Sequence, residues 1–124
     1  MNKKRLIVAF SGPSNSGKTT AIVKVANILQ DNNFKVCIVK HDPKDKAIFD
    51  KDGKDSFKFS QTGADVAVVS PNRTTLLKKS TSSIDELINL FQDFDYLLVE
   101  GLKTLELPRI SIFRNKLDES YFDV

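Results

Sequence analysis

The sequence contains only one cysteine and one histidine, and these two scarcities exclude whole classes of protein. A single thiol, Cys37, cannot form an internal disulfide, so a disulfide-stapled scaffold is excluded. One cysteine and one histidine cannot supply the ligand set of a zinc finger or a related Cys/His metal cluster. The apolar neighbours of Cys37 predict a small buried hydrophobic side chain rather than a reactive thiol.

Long hydrophobic runs and a strong excess of one charge are also missing. The apolar stretches are far shorter than the roughly 20 residues that a membrane helix needs, and the run 6–10 is too short for a signal peptide. The 19 Lys+Arg against 16 Asp+Glu give a net charge of +3, too weak by itself to indicate a nucleic-acid partner. We therefore expect a cytoplasmic protein that binds neither membrane nor nucleic acid.

What the sequence does contain is the composition of an ordinary globular domain. It has 124 residues, of which 40% are hydrophobic and 28% are charged. A chain of this length buries enough surface to fold without staples, and it lies in the commonest size range for one domain. We expect a single domain over residues 1–124.

The first half of the chain has the pattern of a strand, a helix and a second strand. Leu6–Phe10 is continuously apolar, as in a strand that is covered on both faces, and Phe34–Val39 repeats that character. Between them, apolar residues recur at helical spacing, and Asp31-Asn32-Asn33 can end the helix, with an asparagine in a left-handed conformation. This order predicts a βαβ unit. The predicted helix face comprises Ile22, Val25, Ile28 and Leu29.

The second half contains further strands and one more helix. Residues 42–62 form a polar segment that we expect to be mobile and functional. Short apolar runs predict strands at 65–70, 74–77, 96–99 and 109–114, the last near a sheet edge. Ser83 and Glu86 match a capping box and predict a helix start. The alternation of strands and helices predicts an α/β protein.

The loop after the first strand matches the phosphate-binding pattern G-x-x-x-x-G-K-[ST]. Its residues are Gly12-Pro13-Ser14-Asn15-Ser16-Gly17-Lys18-Thr19, followed by Thr20. The glycines allow backbone N–H groups, including those of Ser14, Asn15 and Ser16, to point at phosphate oxygens at a helix N-terminus. Lys18 is expected to reach the β- and γ-phosphates, Thr19 to bind Mg²⁺, and Thr20 to contact the α-phosphate side.

The strand before this loop and the helix after it are the context that the motif requires. The sequence therefore predicts a nucleotide-binding P-loop, and with it a P-loop NTPase fold. We expect a three-layer α/β/α arrangement with a mainly parallel sheet.

Acidic residues follow two of the predicted strands, where ligands bind in parallel sheets. Glu100 comes directly after an apolar strand, as a Walker B carboxylate does, and Asp42 lies before Pro43, which holds it extended. We expect both to serve the magnesium site and, with Lys18, catalysis. The alternatives are a solvated strand end for Glu100 and a turn residue for Asp42. His41 is equally compatible with capping a strand and with a functional role.

A second nucleotide motif is weaker. Asn115-Lys116-Leu117-Asp118 matches the N-K-x-D pattern with which GTP-binding proteins read guanine, but the accompanying D-x-x-G pattern is absent. The alternative is a polar exit from an edge strand.

Taken together, these motifs resemble a known family, the MobB family of molybdopterin-guanine dinucleotide biosynthesis proteins. The resemblance covers nearly the whole chain and implies a P-loop fold, GTP and Mg²⁺ binding, weak GTPase activity and a homodimer. It also implies an adapter role beside the guanylyltransferase that joins GMP to molybdopterin. The blocks that carry the resemblance are the P-loop, Lys40-His41-Asp42, Gly53-Lys54-Asp55-Ser56, Gly63-Ala64, Val99-Glu100-Gly101-Leu102-Lys103 and Pro108-Arg109-Ile110.

The resemblance has one departure, and two other functions compete with it. Members of the family continue past the Pro-Arg strand, so we expect a shortened member, or one completed by dimerisation or a partner. The first competing function is a small P-loop kinase of a nucleotide or metabolite, which needs a lid of several arginines. Arg73, Arg109 and Arg114 are too scattered for such a lid. The second is a non-catalytic module whose bound nucleotide maintains a partner-binding shape.

Overall fold

A computed structural model of the chain describes residues 5–13, 16–49, 53–102 and 105–113. The chain divides into two compact units, one formed by Met1–His41 with Phe91–Val124 and the other by Asp42–Leu90. The expectation of a single domain stays a prediction. In chain order the elements are β1 (Leu6–Ser11), α1 (Lys18–Asp31), β2 (Val36–Lys40), α2 (Asp55–Gln61), β3 (Val66–Ser70), β4 (Arg73–Leu77), α3 (Ile84–Phe91), β5 (Tyr96–Glu100) and β6 (Arg109–Ser111).

The first unit is built on a four-stranded parallel sheet with the strand order β2-β5-β1-β6. Strands β1 and β5 are the two central strands, which explains why both are apolar without alternation. Their register pairs Leu6 with Tyr96 and Phe10 with Glu100. Because β5 lies between β1 and β2, the predicted βαβ unit crosses over one intervening strand. The predicted α/β fold with a mainly parallel sheet is confirmed.

One part of the core of this unit lies between one face of the sheet and α1. Phe10 and Leu98 form a buried cluster with Ile22 and Ala26 of the helix. The prediction that Ile28 belongs to the buried face of the helix is wrong, because 60% of its surface is exposed. At 3.6 residues per turn Ile28 lies about 120° around the helix from Ile22, whereas Ala26 lies within about 40° of it.

The end of α1 is formed as the sequence predicts. Asn33 adopts a φ of 68°, in the left-handed region. Its N–H donates to the Gln30 carbonyl at 3.0 Å, and the Phe34 N–H donates to the Leu29 carbonyl at 3.0 Å. This is the Schellman arrangement, which satisfies carbonyls that the helix itself leaves free. The chain is thereby turned directly into β2.

Cys37 lies on β2 opposite Leu97. The prediction that its side chain is buried holds only in part, since it is half-buried. Burial nevertheless raises the pKa of the thiol, against the opposing effect of the nearby Lys35 ammonium. The thiol form is therefore favoured, in agreement with an unreactive cysteine.

The second unit contains α2, the β3–β4 hairpin and most of α3. The two strands pair antiparallel with Ser70 opposite Arg73, so a two-residue turn connects them. The capping box is confirmed: the Glu86 N–H donates to Ser83 Oγ, and the Ser83 N–H donates to Glu86 Oε1, both at 3.1 Å. No residue of this unit is fully buried in the described ranges 42–49 and 53–90. Among the described helices, none has the length and apolar character needed to cross a membrane.

Candidate functional site

The loop between β1 and α1 has a backbone that requires glycine at two positions. Gly12 has a φ of 149°, and a Cβ atom there would lie 2.1 Å from the Ile112 carbonyl oxygen. Gly17, the N-cap residue of α1, has a φ of 98° in the left-handed region. Apart from its chain neighbours, no atom of the described residues lies within 4 Å of the position that a Gly17 Cβ would take. Ser14 and Asn15 of the predicted loop lie outside the described residues.

The N-terminus of α1 offers hydrogen-bond donors to an anion. The first-turn N–H groups of a helix have no partner within it, and no side chain caps this helix at Gly17. The first turn also lacks an acidic side chain, so the positive end of the helix dipole is not neutralised there. Ser16 is only 7% exposed, and its Oγ has no hydrogen-bond partner in the described part of the chain. A buried hydroxyl without a partner destabilises a protein, and a phosphate oxygen would satisfy it.

The two strongest catalytic candidates from the sequence lie together. Lys18 Nζ is 4.0 Å from Glu100 Oε1, and their side chains are 20% and 18% exposed. Lys18 is the first residue of α1, and Glu100 ends β5 beside Phe10 of β1. The adjacency of the two central strands therefore brings a cation and a carboxylate to the carboxyl edge of the sheet. This is where parallel sheets bind their ligands.

The chain after Glu100 turns sharply away from the sheet. Gly101 and Leu102 have φ values of 93° and 50°, both in the left-handed region. The Gly101 N–H donates to the Phe10 carbonyl at 3.0 Å, and the His41 N–H donates to the Glu100 carbonyl at 2.9 Å. A Cβ on Gly101 would lie 3.1 Å from the His41 Cβ. His41 thus continues the β2–β5 pairing beyond the strand ends through its backbone, and both predicted roles of its side chain stay predictions.

Arg109 is a site residue whose role the sequence reasoning missed. Its guanidinium donates to Ser11 Oγ at 2.5 Å and to the carbonyls of Gly101, Leu102 and Leu105 at 3.0, 2.8 and 2.9 Å. The side chain therefore connects the residue before Gly12 with the turn after Glu100. The sequence signal was an arginine within a short strand, between Pro108 and Ile110.

The remaining candidates from the sequence are Thr19, Thr20, Asp42 and the Asn115–Asp118 motif. Thr19 and Thr20 lie exposed in the first turn of α1. Asp42 belongs to the second unit, where one carboxylate oxygen accepts the Ala47 N–H at 2.8 Å. This agrees with the turn-forming alternative, and the metal-binding role of Asp42 stays a prediction. The Asn115–Asp118 motif lies outside the described residues.

The chemistry of the donors at this edge suits magnesium. Thr19 and Glu100 offer hard oxygen ligands, which Mg²⁺ prefers. In the described part of the chain, no group of three or more His, Cys, Asp or Glu side chains could hold a metal ion by itself. Mg²⁺ needs no such cage, because it commonly takes one or two protein oxygens together with phosphate and water. The residues present therefore fit the predicted ion.

A parallel sheet that leads through a G-x-x-x-x-G-K-T loop into a helix, with a carboxylate beside the lysine, defines a P-loop nucleotide-binding protein. The chain belongs to the MobB family, described as molybdopterin guanine dinucleotide synthesis protein B, whose profile matches residues 7–123. The family resemblance drawn from the sequence is confirmed. Membership supports the adapter function rather than the kinase alternative.

Individual relatives agree with this assignment. A molybdopterin-guanine dinucleotide biosynthesis adapter protein of Escherichia coli (strain K12) is 31% identical over 116 residues, which cover 88% of this chain and 66% of the relative. The crystal structure of Bacillus subtilis MobB superposes with a TM-score of 0.77 at 29% identity, over 90% of this chain and 69% of that chain. A Methanocaldococcus jannaschii relative is 28% identical over 116 residues. These residues cover 89% of this chain but only 48% of that relative's length.

Proposed function

We propose that the chain binds GTP with Mg²⁺ at residues Gly12–Thr20 and acts as a weakly hydrolysing adapter in molybdenum cofactor biosynthesis. The observation that carries this proposal is the 4.0 Å approach of Lys18 Nζ to Glu100 Oε1 at the end of the glycine-rich loop. Support for the pathway comes from the family and from the Escherichia coli relative, whose name specifies an adapter in molybdopterin-guanine dinucleotide biosynthesis.

Each residue of the site has a distinct chemical part in this proposal. Backbone N–H groups at the start of α1 hold the phosphates, and Lys18 neutralises charge that develops on the β- and γ-phosphate oxygens during hydrolysis. Thr19 and Glu100 would hold Mg²⁺, with Asp42 as a further carboxylate. The bound ion supplies charge neutralisation for the triphosphate. Glu100 also orients the water that attacks the γ-phosphorus, and the bond to the β,γ-bridging oxygen breaks to give GDP and phosphate.

The proposed partners follow from the adapter role. The protein acts in the cytoplasm as a homodimer and supports the guanylyltransferase that attaches GMP to molybdopterin. The test is to add the purified chain to that enzyme with GTP, Mg²⁺ and molybdopterin. A faster appearance of the guanine dinucleotide supports the adapter proposal, and an unchanged rate contradicts it.

Nucleotide choice is tested by calorimetry with GTP and ATP, each with and without Mg²⁺. Tighter binding of GTP, strengthened by Mg²⁺, is the expected result. A clear preference for ATP would overturn the assignment to GTP. Tight binding of GTP without any hydrolysis would favour the non-catalytic module over a GTPase.

The role of Lys18 is tested by Lys18→Ala, with Lys24→Ala as the matched control. Lys24 is an exposed lysine on the same helix, six positions further along. We expect Lys18→Ala to lower the rate of GTP hydrolysis by about 10²-fold or more, since it removes a preorganised charge at the transferring phosphate. Lys24→Ala should retain the wild-type rate. Equal rates in the two variants would contradict the proposed site.

A further inference from the structure

The two terminal nitrogens of Arg109 donate four hydrogen bonds. Nη1 donates to Ser11 Oγ and to the Gly101 carbonyl, and Nη2 donates to the carbonyls of Leu102 and Leu105. The side chain is partly buried, and the planar guanidinium fork presents its donors in a fixed geometry. Such a group fixes the relative position of every atom that it binds.

The segment that Arg109 holds is conformationally strained. Gly101 and Leu102 are consecutive residues with positive φ, and Leu102 is a bulky residue at 50°. A left-handed conformation is unfavourable for such a residue and persists only where the surroundings enforce it. The 2.8 Å bond from Arg109 Nη2 to the Leu102 carbonyl is such a constraint. The Leu105 N–H donates to the same carbonyl at 3.0 Å.

This turn directly follows Glu100, and the other contact of Arg109 directly precedes Gly12. Ser11 is also held through its backbone, because its carbonyl accepts the Ile112 N–H at 2.8 Å. The entrance to the phosphate loop therefore keeps an anchor even without Arg109. Three of the four Arg109 bonds go to carbonyls after Glu100, although the Leu102 and Leu105 carbonyls also accept backbone N–H groups. Loss of the guanidinium should thus disturb the carboxylate half of the site more than the phosphate half.

We propose that Arg109 is a positioning residue that fixes the turn after Glu100, so that the Glu100 carboxylate stays facing Lys18. This inference rests on the proposed function for its catalytic consequence, but its structural part does not need a nucleotide. Arg109 acts through Glu100 and does not itself touch the nucleotide. Its removal should therefore reduce Mg²⁺-dependent turnover while Mg²⁺-free nucleotide binding persists.

The experiment compares Arg109→Lys with two controls. Arg109→Lys keeps the positive charge but loses the planar fork, so it cannot reproduce the geometry in which two separate nitrogens bind the three carbonyls. Ser11→Ala removes only the bond to the phosphate-loop side, and Arg73→Lys changes an exposed arginine on the β3–β4 hairpin. We expect Arg109→Lys to lower the rate of GTP hydrolysis at least tenfold, with the dissociation constant of GTP in EDTA within about twofold of wild type. Both controls should keep the wild-type rate.

A second readout is amide hydrogen exchange, which needs no nucleotide. Arg109→Lys should speed exchange of the Gly101 and His41 N–H groups at least tenfold, because both bonds adjoin the released turn. Exchange of the Leu98 N–H in the middle of β5 should stay as in wild type. If Arg109→Lys yields no folded protein, Leu102→Gly is added to remove the strain, and the double variant is compared with Leu102→Gly alone.

The outcomes distinguish a failure of the positioning role of Arg109 from a failure of the proposed GTP-binding function. Unchanged exchange at Gly101 and His41 overturns the positioning role, whatever the nucleotide results are. Equal losses of turnover and of Mg²⁺-free affinity also overturn it, since that is the effect of a general loss of structure. If wild type does not bind GTP, the proposed function fails, while faster exchange in Arg109→Lys still supports the positioning role.

Discussion

In the first unit most apolar side chains of β1 and β5 are buried or half-buried, whereas many side chains of the β3–β4 hairpin in the second unit are exposed to solvent. Val99 of β5 is 0% exposed, while Val69 of β3 is 77% exposed. The phosphate loop continues β1 and Glu100 ends β5, so the proposed catalytic groups extend from the most buried strands. Buried strands resist local opening and hold such groups in place. The second unit lacks fully buried side chains in its described residues, and we expect it to open more readily.

The largest effect on stability is expected from changing a strand valine to alanine in the first unit, compared with the same change in the second unit. Val99→Ala leaves a cavity on the buried sheet face from which Val99 projects, and it should lower the free energy of unfolding by about 2–3 kcal/mol. Val69→Ala, on the accessible hairpin, should lower it by about 0.5 kcal/mol or less. Both substitutions change a strand valine to alanine, so the difference in strand propensity largely cancels. Urea unfolding of both variants measures the contrast, and equal losses would contradict it.

A smaller contrast is expected from two glycines with nearly the same backbone. Gly101 in the first unit has a φ of 93° and Gly63 in the second a φ of 91°. Alanine at either position carries the cost of a left-handed conformation, about 1–2 kcal/mol. Gly101→Ala also brings its Cβ to 3.1 Å from the His41 Cβ, while Gly63→Ala meets nothing within 4 Å.

Gly101→Ala should therefore be the more destabilising variant, by about 1 kcal/mol, the scale of a mild steric overlap in a packed site. Thermal unfolding of the two variants measures this difference. His41→Gly in the Gly101→Ala background provides the control, since it removes the Cβ atom in contact. Identical midpoints for Gly101→Ala and Gly63→Ala would show that the site beside Glu100 is no more tightly packed than the surface turn.

Local chemistry accounts for what the sequence predicted well. The continuous apolar runs of β1 and β5 indicated buried parallel strands, and Asn33 and the Ser83–Glu86 pair each satisfy backbone groups within a few residues. The phosphate loop is likewise a contiguous motif with its strand and helix beside it. Such features depend on neighbours in the chain, which the sequence displays directly.

The features that sequence reasoning missed depend on contacts between distant segments. The placement of β5 between β1 and β2 follows from pairing across many residues, which no local pattern encodes. The partners of Arg109 are mostly backbone carbonyls, whose positions exist only once the turn after Glu100 has formed. Ile28 was misplaced because an apolar residue at helical spacing need not lie within the stripe that the sheet covers.

The smallest expected effect concerns the helix cap of the second unit and depends on pH. Hydrogen bonds from the Ser83 backbone and side chain, and the nearby Lys78 ammonium, lower the pKa of the Glu86 carboxyl. A carboxyl with a lowered pKa in the folded state stabilises the protein above its unfolded pKa, about 4.3 for glutamate, and this contribution disappears as the pH falls through the folded value.

Wild type should therefore exceed Glu86→Gln in midpoint temperature at pH 7, and the two should converge as the pH is lowered towards 3. Ser83→Ala removes the hydroxyl that accepts the Glu86 N–H, a bond that does not titrate, so part of its deficit should persist in acid. The differences should amount to a few degrees at most, because the carboxylate is solvent-exposed and screened. A gap between wild type and Glu86→Gln that stays constant from pH 7 to pH 3 would mean that the cap does not depend on the carboxylate charge. The second unit would then gain its helix start from the uncharged Ser83 contacts alone.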